Sequence, residues 1–395
     1  MTVRGNIDLR HARSTAEGDR RGDFCEIKSL LLSELQEKLR EFAEPSYRVR
    51  QIMKWLYEKR ASGFEEMSDL PQALRARLAE NFSMGKLSVV RVLGSRDTTR
   101  KFLFRLEDGN LIESVLIPAS PALYGQKSDR RTACVSTQVG CAYGCRFCAS
   151  GLDGFAQNLR ANEIVDQIMA IESHVGGSER IDNIVFMGMG EPLANFDNVM
   201  RAIRILNAPW GLSIGARHIT VSTSGLAPQI RKLADELLQI RLAISLHGAT
   251  DEVRNQIMPI NRRYNLETLL SACDYYVERK KQKLTFEYIL IAGVNDTDDQ
   301  AQLLATHARR LAAKVNLIPY NTVQGLPWSR PSQNRQEKIL SILQRHRISA
   351  TLRREKGGDI DAACGQLRLQ TKRMQRSHPE RNAAESRDPV ALPSR

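Results

Sequence analysis

Apolar residues recur at helical spacing from Ile27 to about Met84. Leu30, Leu31, Leu35 and Leu39 share one face, and so do Ile52, Trp55 and Leu56. Ser68-Asp-Leu-Pro71 breaks the pattern and restarts a helix through Leu78. The spacing predicts a small helical domain over 26–86. Residues 1–25 before it are polar, charged and aperiodic, which predicts a disordered N-terminus. Three short alternating runs follow, Leu87–Leu93, Lys101–Leu106 and Leu111–Ile117, with Gly109-Asn110 suited to a hairpin turn. They predict a short β segment, 87–125, leading into the core.

From Thr132 apolar strands alternate with helical patterns. The expected strands are Ala133–Val139, Ile184–Met189, His218–Thr223, Arg241–His247, Leu284–Ile291 and Lys314–Pro319. Between them lie Ile164/Val165/Ile168/Ile171, Val199/Ile203/Leu206, Ile230/Leu233/Leu237, Leu269/Leu270/Cys273/Tyr276 and Leu303/Leu304/Leu311. Near-continuous apolar strands suit a parallel sheet covered by helices. Six such β–α units predict an α/β fold, a partial (β/α)6 TIM-like barrel over 126–368, with a doubly wound sheet as the alternative. A helix (Gln336–Arg345) and a strand (Ile348–Arg353) follow. In a barrel the chemistry sits at the C-terminal ends of the strands. Residues 369–395 predict a basic, disordered tail.

Charge narrows the partners. The 395 residues carry a formal net charge of +13, which favours a polyanion. Arg48, Arg50, Lys54, Lys59 and Arg60 fall in the helical domain, so the excess is not only in the tail. No apolar run spans a membrane and the N-terminus lacks a secretory signal, so a cytoplasmic protein is expected. The cysteine count is seven, an odd number, with three inside Cys141-Ala-Tyr-Gly-Cys145-Arg-Phe-Cys148. That points to a metal or redox role in a reducing compartment.

Three thiolates at Cys-x3-Cys-x2-Cys on a loop after the first strand can wrap three corners of a [4Fe–4S] cluster and leave one iron open. An open iron can chelate the amino and carboxylate groups of S-adenosylmethionine (SAM). The competing reading is zinc with Cys134 or Cys364 as fourth ligand, although zinc sites favour paired Cys-x2-Cys spacings. Gly188-Met-Gly190-Glu191 ends the second strand, where a carboxylate can bind an ammonium. It is no dinucleotide fingerprint, since Leu193 stands where the third glycine belongs. Ser222 ends the third strand, Ser245-Leu246-His247 the fourth, and Asn321 follows the sixth. These can hydrogen-bond ribose, carboxylate or adenine, or merely cap strands. Cys25 and Cys273 read as packing. Cys364, in a loop after the last strand, can be a nucleophile toward a methyl group.

The cysteine spacing, with Phe147 before the last cysteine, is similar to the radical SAM signature. Thr137-Gln-Val-Gly-Cys141, Phe186-Met-Gly-Met-Gly-Glu191-Pro192-Leu, Val221-Ser-Thr-Ser-Gly225, Ile244-Ser-Leu-His-Gly248 and Gly357-Gly-Asp-Ile-Asp-Ala-Ala-Cys364-Gly closely resemble the RlmN/Cfr family of RNA adenine methyltransferases, and RlmN most. The resemblance runs from about Ile27 to Leu367. It implies a [4Fe–4S] cluster on Cys141, Cys145 and Cys148. It implies SAM contacts at Gly190, Glu191, Ser222, Ser245, Leu246, His247 and Asn321. Cys364 is then the methyl-carrying cysteine, Cys134 the partner that resolves it through a transient disulfide, and Glu113 the proton acceptor. Without the resemblance Glu113 reads as a solvent-facing strand carboxylate. The implied reaction methylates C2 of an adenosine in 23S ribosomal RNA or tRNA, with C8 as the alternative, by a ping-pong route through S-methylcysteine. Its implied partners are the RNA, an electron donor such as flavodoxin or ferredoxin, and a thiol reductant, with no membrane. The rival from another class is a zinc-stabilised RNA-binding protein without catalysis.

Overall fold

The computed structural model describes residues 25–85, 87–118, 130–152, 154–176, 180–323 and 325–353. The chain divides after Gly85 into two units. In the first, β1 (Cys25–Glu26) pairs in parallel with β2 (Phe82–Ser83), tying the unit's two ends together. Between them lie α1 (Leu32–Glu41), α2 (Tyr47–Tyr57) and α3 (Gln72–Asn81). Of the stripes that the spacing marked, Leu35, Leu39, Ile52 and Leu56 are buried, while Leu31 and Trp55 are only half-buried; Met53, Leu74 and Leu78 are buried with them. Tyr57 adds a polar tie, its hydroxyl donating to the Lys28 carbonyl at 2.8 Å.

The second unit is built on one ten-stranded sheet. Its strands are β3 (Ser88–Gly94), β4 (Arg100–Arg105), β5 (Leu111–Pro118), β6 (Arg131–Cys134), β9 (Asn183–Phe186), β10 (Ile219–Thr223), β11 (Arg241–Ser245), β12 (Thr285–Leu290), β13 (Lys314–Pro319) and β14 (Ala350–Leu352). β7 (Gln138–Gly140) and β8 (Phe155–Asn158) form a separate antiparallel ribbon. The sheet order is β14-β13-β12-β11-β10-β9-β6-β5-β4-β3. From β6 to β14 all pairings are parallel and follow chain order, with no reversal. A doubly wound sheet reverses direction to place helices on both faces. Here every right-handed crossover returns to the same face, as in a barrel. The structure is therefore the expected α/β partial barrel, open between its edge strands.

The helices on that face are α4 (Ala161–His174), α5 (Phe196–Asn207), α6 (Ala227–Asp235), α7 (Asp251–Ile257), α8 (Leu266–Lys280), α9 (Asp298–Arg310) and α10 (Gln333–Arg345). Their apolar stripes are buried at the expected positions, with two exceptions: Leu303 on α9 is exposed, and so is Leu237. α6 stops at Asp235, which leaves Leu237 at 95% exposure outside the helix. The expected first strand also splits. β6 ends at Cys134 because Ser136 turns its amide to Gln167 Oε1 (2.9 Å) and its hydroxyl to the Glu113 carbonyl (2.6 Å), peeling the chain off the sheet before it re-forms as β7. β11 ends two residues early because His247 sits at φ +55°, where no strand continues.

β3, β4 and β5 extend the sheet antiparallel from β6. Residues opposite one another in register share a face. Val115 lies opposite Cys134 and Lys101 opposite Val115, so Lys101, Glu113, Val115 and Cys134 line one face. Ser114 points to the other, where its hydroxyl meets Gln167 of α4 at 2.7 Å. Lys101 Nζ and Glu113 Oε2 pair at 2.9 Å with both side chains buried, so Glu113 is not a solvent-facing carboxylate.

Losing one partner strands the other charge in the interior. Lys101→Met is expected to lower unfolding stability by about 3–5 kcal/mol, and Lys101→Met with Glu113→Leu to recover most of it. Urea midpoints of the single and double variants check this; equal losses in both would show that the pair's charge is not the cause.

Candidate active site

The three clustered cysteines sit on a tightly held loop after β7. Gly140 makes the entry possible: its φ is +78°, and a Cβ there would come 1.9 Å from the Gly154 carbonyl. The Cys141 amide donates to that carbonyl at 2.9 Å. Farther on, the Arg146 amide donates to the Ile257 carbonyl at the end of α7 (2.9 Å), and Trp328 Nε1 to the Arg146 carbonyl (3.3 Å). Phe147 packs edge-on against His247, with ring centroids 4.9 Å apart. The loop is thus clamped between its cysteines, and none of Cys141, Cys145 and Cys148 is in a disulfide among the described residues. Burial pushes the Cys141 thiol up to about 12, and the Cys145 thiol also well up. The neighbouring thiols and Glu191 add to both rises, which gathers four acidic groups in one region.

Glu191 is 3% exposed. Its Oε2 accepts from the Ser224 amide (2.7 Å) and hydroxyl (2.8 Å), its Oε1 from the Leu193 amide (3.1 Å). Burial raises its pKa, and these hydrogen bonds oppose the rise. Its own amide donates to Gln138 Oε1 at 2.8 Å. The glycines before it serve the chain's own packing. A Cβ on Gly188 would meet the Val135 carbonyl at 2.6 Å, and on Gly190, at φ +101°, the Gln138 Cβ at 2.5 Å.

Ser222 and Ser245 end adjacent strands with their hydroxyls 3.5 Å apart. Register carries their face across the sheet. Cys134 lies opposite Val185, Val185 opposite Thr220, and Thr220 is two residues before Ser222. Cys134, Glu113, Ser222 and Ser245 therefore line the face away from the helices. Leu246 is fully buried, so only its backbone is polar there. His247 Nδ1 accepts from the Ile289 amide at 3.0 Å, and burial, then Arg254, lower its pKa to about 3. Asn321 Oδ1 accepts from Arg330 at 2.5 Å. Cys364 lies outside the described residues. Cys273 is buried in α8 with its thiol pushed up to about 12 by burial, an unreactive setting; Cys25 is exposed on β1.

Several residues that hold this site were given no role by the sequence. Gln138 and Ser224 fix Glu191; both lie inside family-like motifs, but nothing there marks them as its partners. On the interior face, Ser245, Glu287, Asn316 and Thr351 stand in register across four strands. Asn316 Nδ2 donates to Glu287 Oε2 (2.7 Å), and Thr351 Oγ1 to Asn316 Oδ1 (3.2 Å). Arg254, fully buried, has the look of a surface helix residue in Asp251-Glu-Val-Arg254.

Comparison with known proteins settles the family. A model of the radical SAM superfamily matches residues 135–304, and one of the ribosomal RNA large subunit methyltransferase N-terminal domain matches 26–84. The chain is 52% identical over 344 residues to a probable dual-specificity RNA methyltransferase RlmN of Akkermansia muciniphila, covering 86% of this chain and 95% of that protein. It is also 52% identical over 351 residues to the corresponding RlmN 3 of Opitutus terrae, covering 87% and 94%. The chain belongs to the RlmN family of radical SAM enzymes. A crystal structure of a radical SAM methyltransferase from Sphaerobacter thermophilus shares the fold at a TM-score of 0.80 and 45% identity, covering 86% of this chain and 98% of that one.

Radical SAM membership brings a [4Fe–4S] cluster and SAM as cofactors. The residues present fit the cluster: three thiols on one clamped loop, with those of Cys141 and Cys145 kept protonated by burial, are donors that a cationic centre converts to thiolates. Among the described residues no helix is long and apolar enough to cross a membrane.

The His247 ring gives a pH prediction. Its folded pKa lies below the ordinary 6.5, so the unfolded chain takes up a proton that the native ring refuses. The stability linked to it is fully present above about pH 6.5 and is lost as the pH falls toward 3. His247→Gln is expected to flatten the fall in urea midpoint between pH 7.5 and 5. An unchanged slope would mean that His247 titrates normally in the folded protein.

Proposed function

We propose that this protein methylates C2 of an adenosine in 23S ribosomal RNA, and in tRNA, by a two-stage transfer through Cys364. What carries the reading is the relatives that match nearly the whole chain, named dual-specificity RNA methyltransferases. The geometry supports it: Glu113, Cys134, Ser222 and Ser245 line one sheet face.

The assigned roles are these. Cys141, Cys145 and Cys148 hold the cluster. Glu191, with Gly190, Ser222, Ser245, the Leu246 backbone, His247 and Asn321, orients SAM. Glu191 offers carboxylate oxygens at the SAM ammonium, with Ser224 and Gln138 fixing its position. The neutral His247 ring offers hydrogen bonding without adding charge to a cationic ligand. When bound, the cluster and SAM together supply a 5′-deoxyadenosyl radical, chemistry that no side chain has. Cys364 works before and after that event. Its thiolate first takes a methyl group from SAM, and its sulfur later tethers that carbon to the adenine. Glu113 accepts the ring proton, with its charge matched by Lys101. Cys134 attacks the Cys364 sulfur, breaking the sulfur–carbon bond and forming a disulfide that a two-electron thiol reductant reopens. Electrons for the cluster come from a flavodoxin or ferredoxin.

The helical unit is suited to hold the RNA. Tyr47 is exposed, with Arg48 over its ring at 4.9 Å, and Lys59 lies 3.6 Å over the Trp55 ring. Cation–aromatic pairs of this kind meet unpaired bases and phosphates together. A base that must reach the barrel interior has to leave its stack, which favours loops over duplex.

Three measurements test the reading. Replacing Cys141, Cys145 and Cys148 together by Ala removes the protein's iron; wild-type iron content in that variant would refute the ligand assignment. Cys134→Ala accumulates a covalent protein–RNA species that survives denaturation and disappears with nuclease. Cys364→Ala forms neither product nor adduct, and an adduct in it would overturn the assignment of the methyl carrier.

A further inference from the structure

Arg254, on α7, is the largest completely buried side chain among the described residues. Its guanidinium donates to Asn261 Oδ1 (2.8 Å) and to the carbonyls of Ser245 (3.3 Å), Leu246 and Ser224 (3.1 Å). Every one of these acceptors is neutral, and no ion pair to Arg254 occurs among the described residues. A buried cation normally has a counterion, because hydrogen bonds to carbonyls satisfy its N–H groups without cancelling its charge. Asp251, on the same helix, supports the charge without pairing with it: its Oδ1 accepts from Asn261 Nδ2 and from the Leu266 amide, both at 2.8 Å.

The position of α7 says what the charge faces. Its last residue, Ile257, accepts the amide of Arg146, the residue between Cys145 and Phe147. Arg254 thus stands three residues before Ile257 on the helix that the cysteine loop is bonded to. The space beside Arg254 is kept tight: a Cβ on Gly225 would come 3.4 Å from its Nη2, and one on Gly248 3.0 Å from its Cγ.

We propose that Arg254 is the built-in counter-charge of the cysteine-bound cluster, a positioning residue whose positive charge sets how readily the cluster accepts an electron. The inference rests on the three-cysteine cluster of the proposed function and adds a residue to it. Three thiolates make the cluster site anionic, and each electron added makes it more so. A fixed cation in a low-dielectric setting stabilises the reduced form over the oxidised one, since cluster potentials follow net charge and hydrogen bonding. The same side chain ties Ser224, which holds Glu191, to Ser245 and Leu246. Charge and scaffolding therefore have to be separated by the choice of variants.

The test uses the iron-loaded protein and an electron paramagnetic resonance titration with dithionite and mediators, with no RNA present. Arg254→Lys keeps the charge and loses most of the hydrogen bonds; Arg254→Gln keeps a donor and loses the charge. At a potential where the wild type is half reduced, Arg254→Lys is expected within about threefold of the wild-type ratio of reduced to oxidised cluster, and Arg254→Gln at least about tenfold lower. An unchanged ratio in Arg254→Gln overturns the inference, and so do equal drops in both, which would make the effect one of geometry. Should Arg254→Gln fail to hold iron, Arg254→Lys decides: wild-type iron and ratio support the counter-charge, and their loss overturns it. A wild-type protein without iron would sink the cluster reading itself, which the iron assay on the same sample distinguishes.

Discussion

Parallel strands laid side by side in the order they leave the chain impose the constraint on which the site depends. Each crossover helix returns on the same side, so the opposite face keeps no helix of its own. Every residue that this face presents is fixed by strand register alone. Lys101 and Glu113 enter it from the antiparallel extension, Cys134 from β6, Ser222 and Ser245 from the middle, and Glu287 and Asn316 beyond them. Polar groups on such a face need partners from neighbouring strands. They find them in the Lys101–Glu113 pair and the Glu287–Asn316–Thr351 row.

Where the strands end, a second set of contacts takes over. Gln138 grips the Glu191 amide, Ser224 grips its carboxylate, and Arg254 grips the Ser224 carbonyl. Four separate segments are joined through side-chain-to-backbone hydrogen bonds, with the cysteine loop docked on the same helix as Arg254. Pre-organised dipoles of this kind are worth most where water is excluded.

The sequence showed most of the architecture, because helix stripes and apolar strands are periodic and period is what one chain displays. It also showed the cysteine loop, where close spacing compresses three ligands into eight residues. Strand ends were less legible. The stop at Cys134 depends on Gln167, thirty-odd positions away, and the stop at Ser245 on a left-handed histidine. Glu113 looked exposed because alternation tells which residues share a face but not whether that face is covered. Arg254 was invisible for the same reason, since an arginine in a short polar helix looks like surface until the segments around it are assembled. The need for glycine before Glu191 was not legible either: a Cβ at Gly188 would strike Val135, and one at Gly190 would strike Gln138.

The pairing of Val115 with Cys134 has a consequence for how this chain can vary. A strand presents alternate residues to each face, so a one-residue slip of β5 against β6 would carry Glu113 to the helix side and bring Ser114 inward. The register is pinned from within, by the buried Lys101–Glu113 pair on one face and by Ser114 with Gln167 on the other. Length changes in the connection between Pro118 and Arg131 are therefore uncoupled from this register. That stretch can be lengthened or shortened while the residues on either side keep their partners.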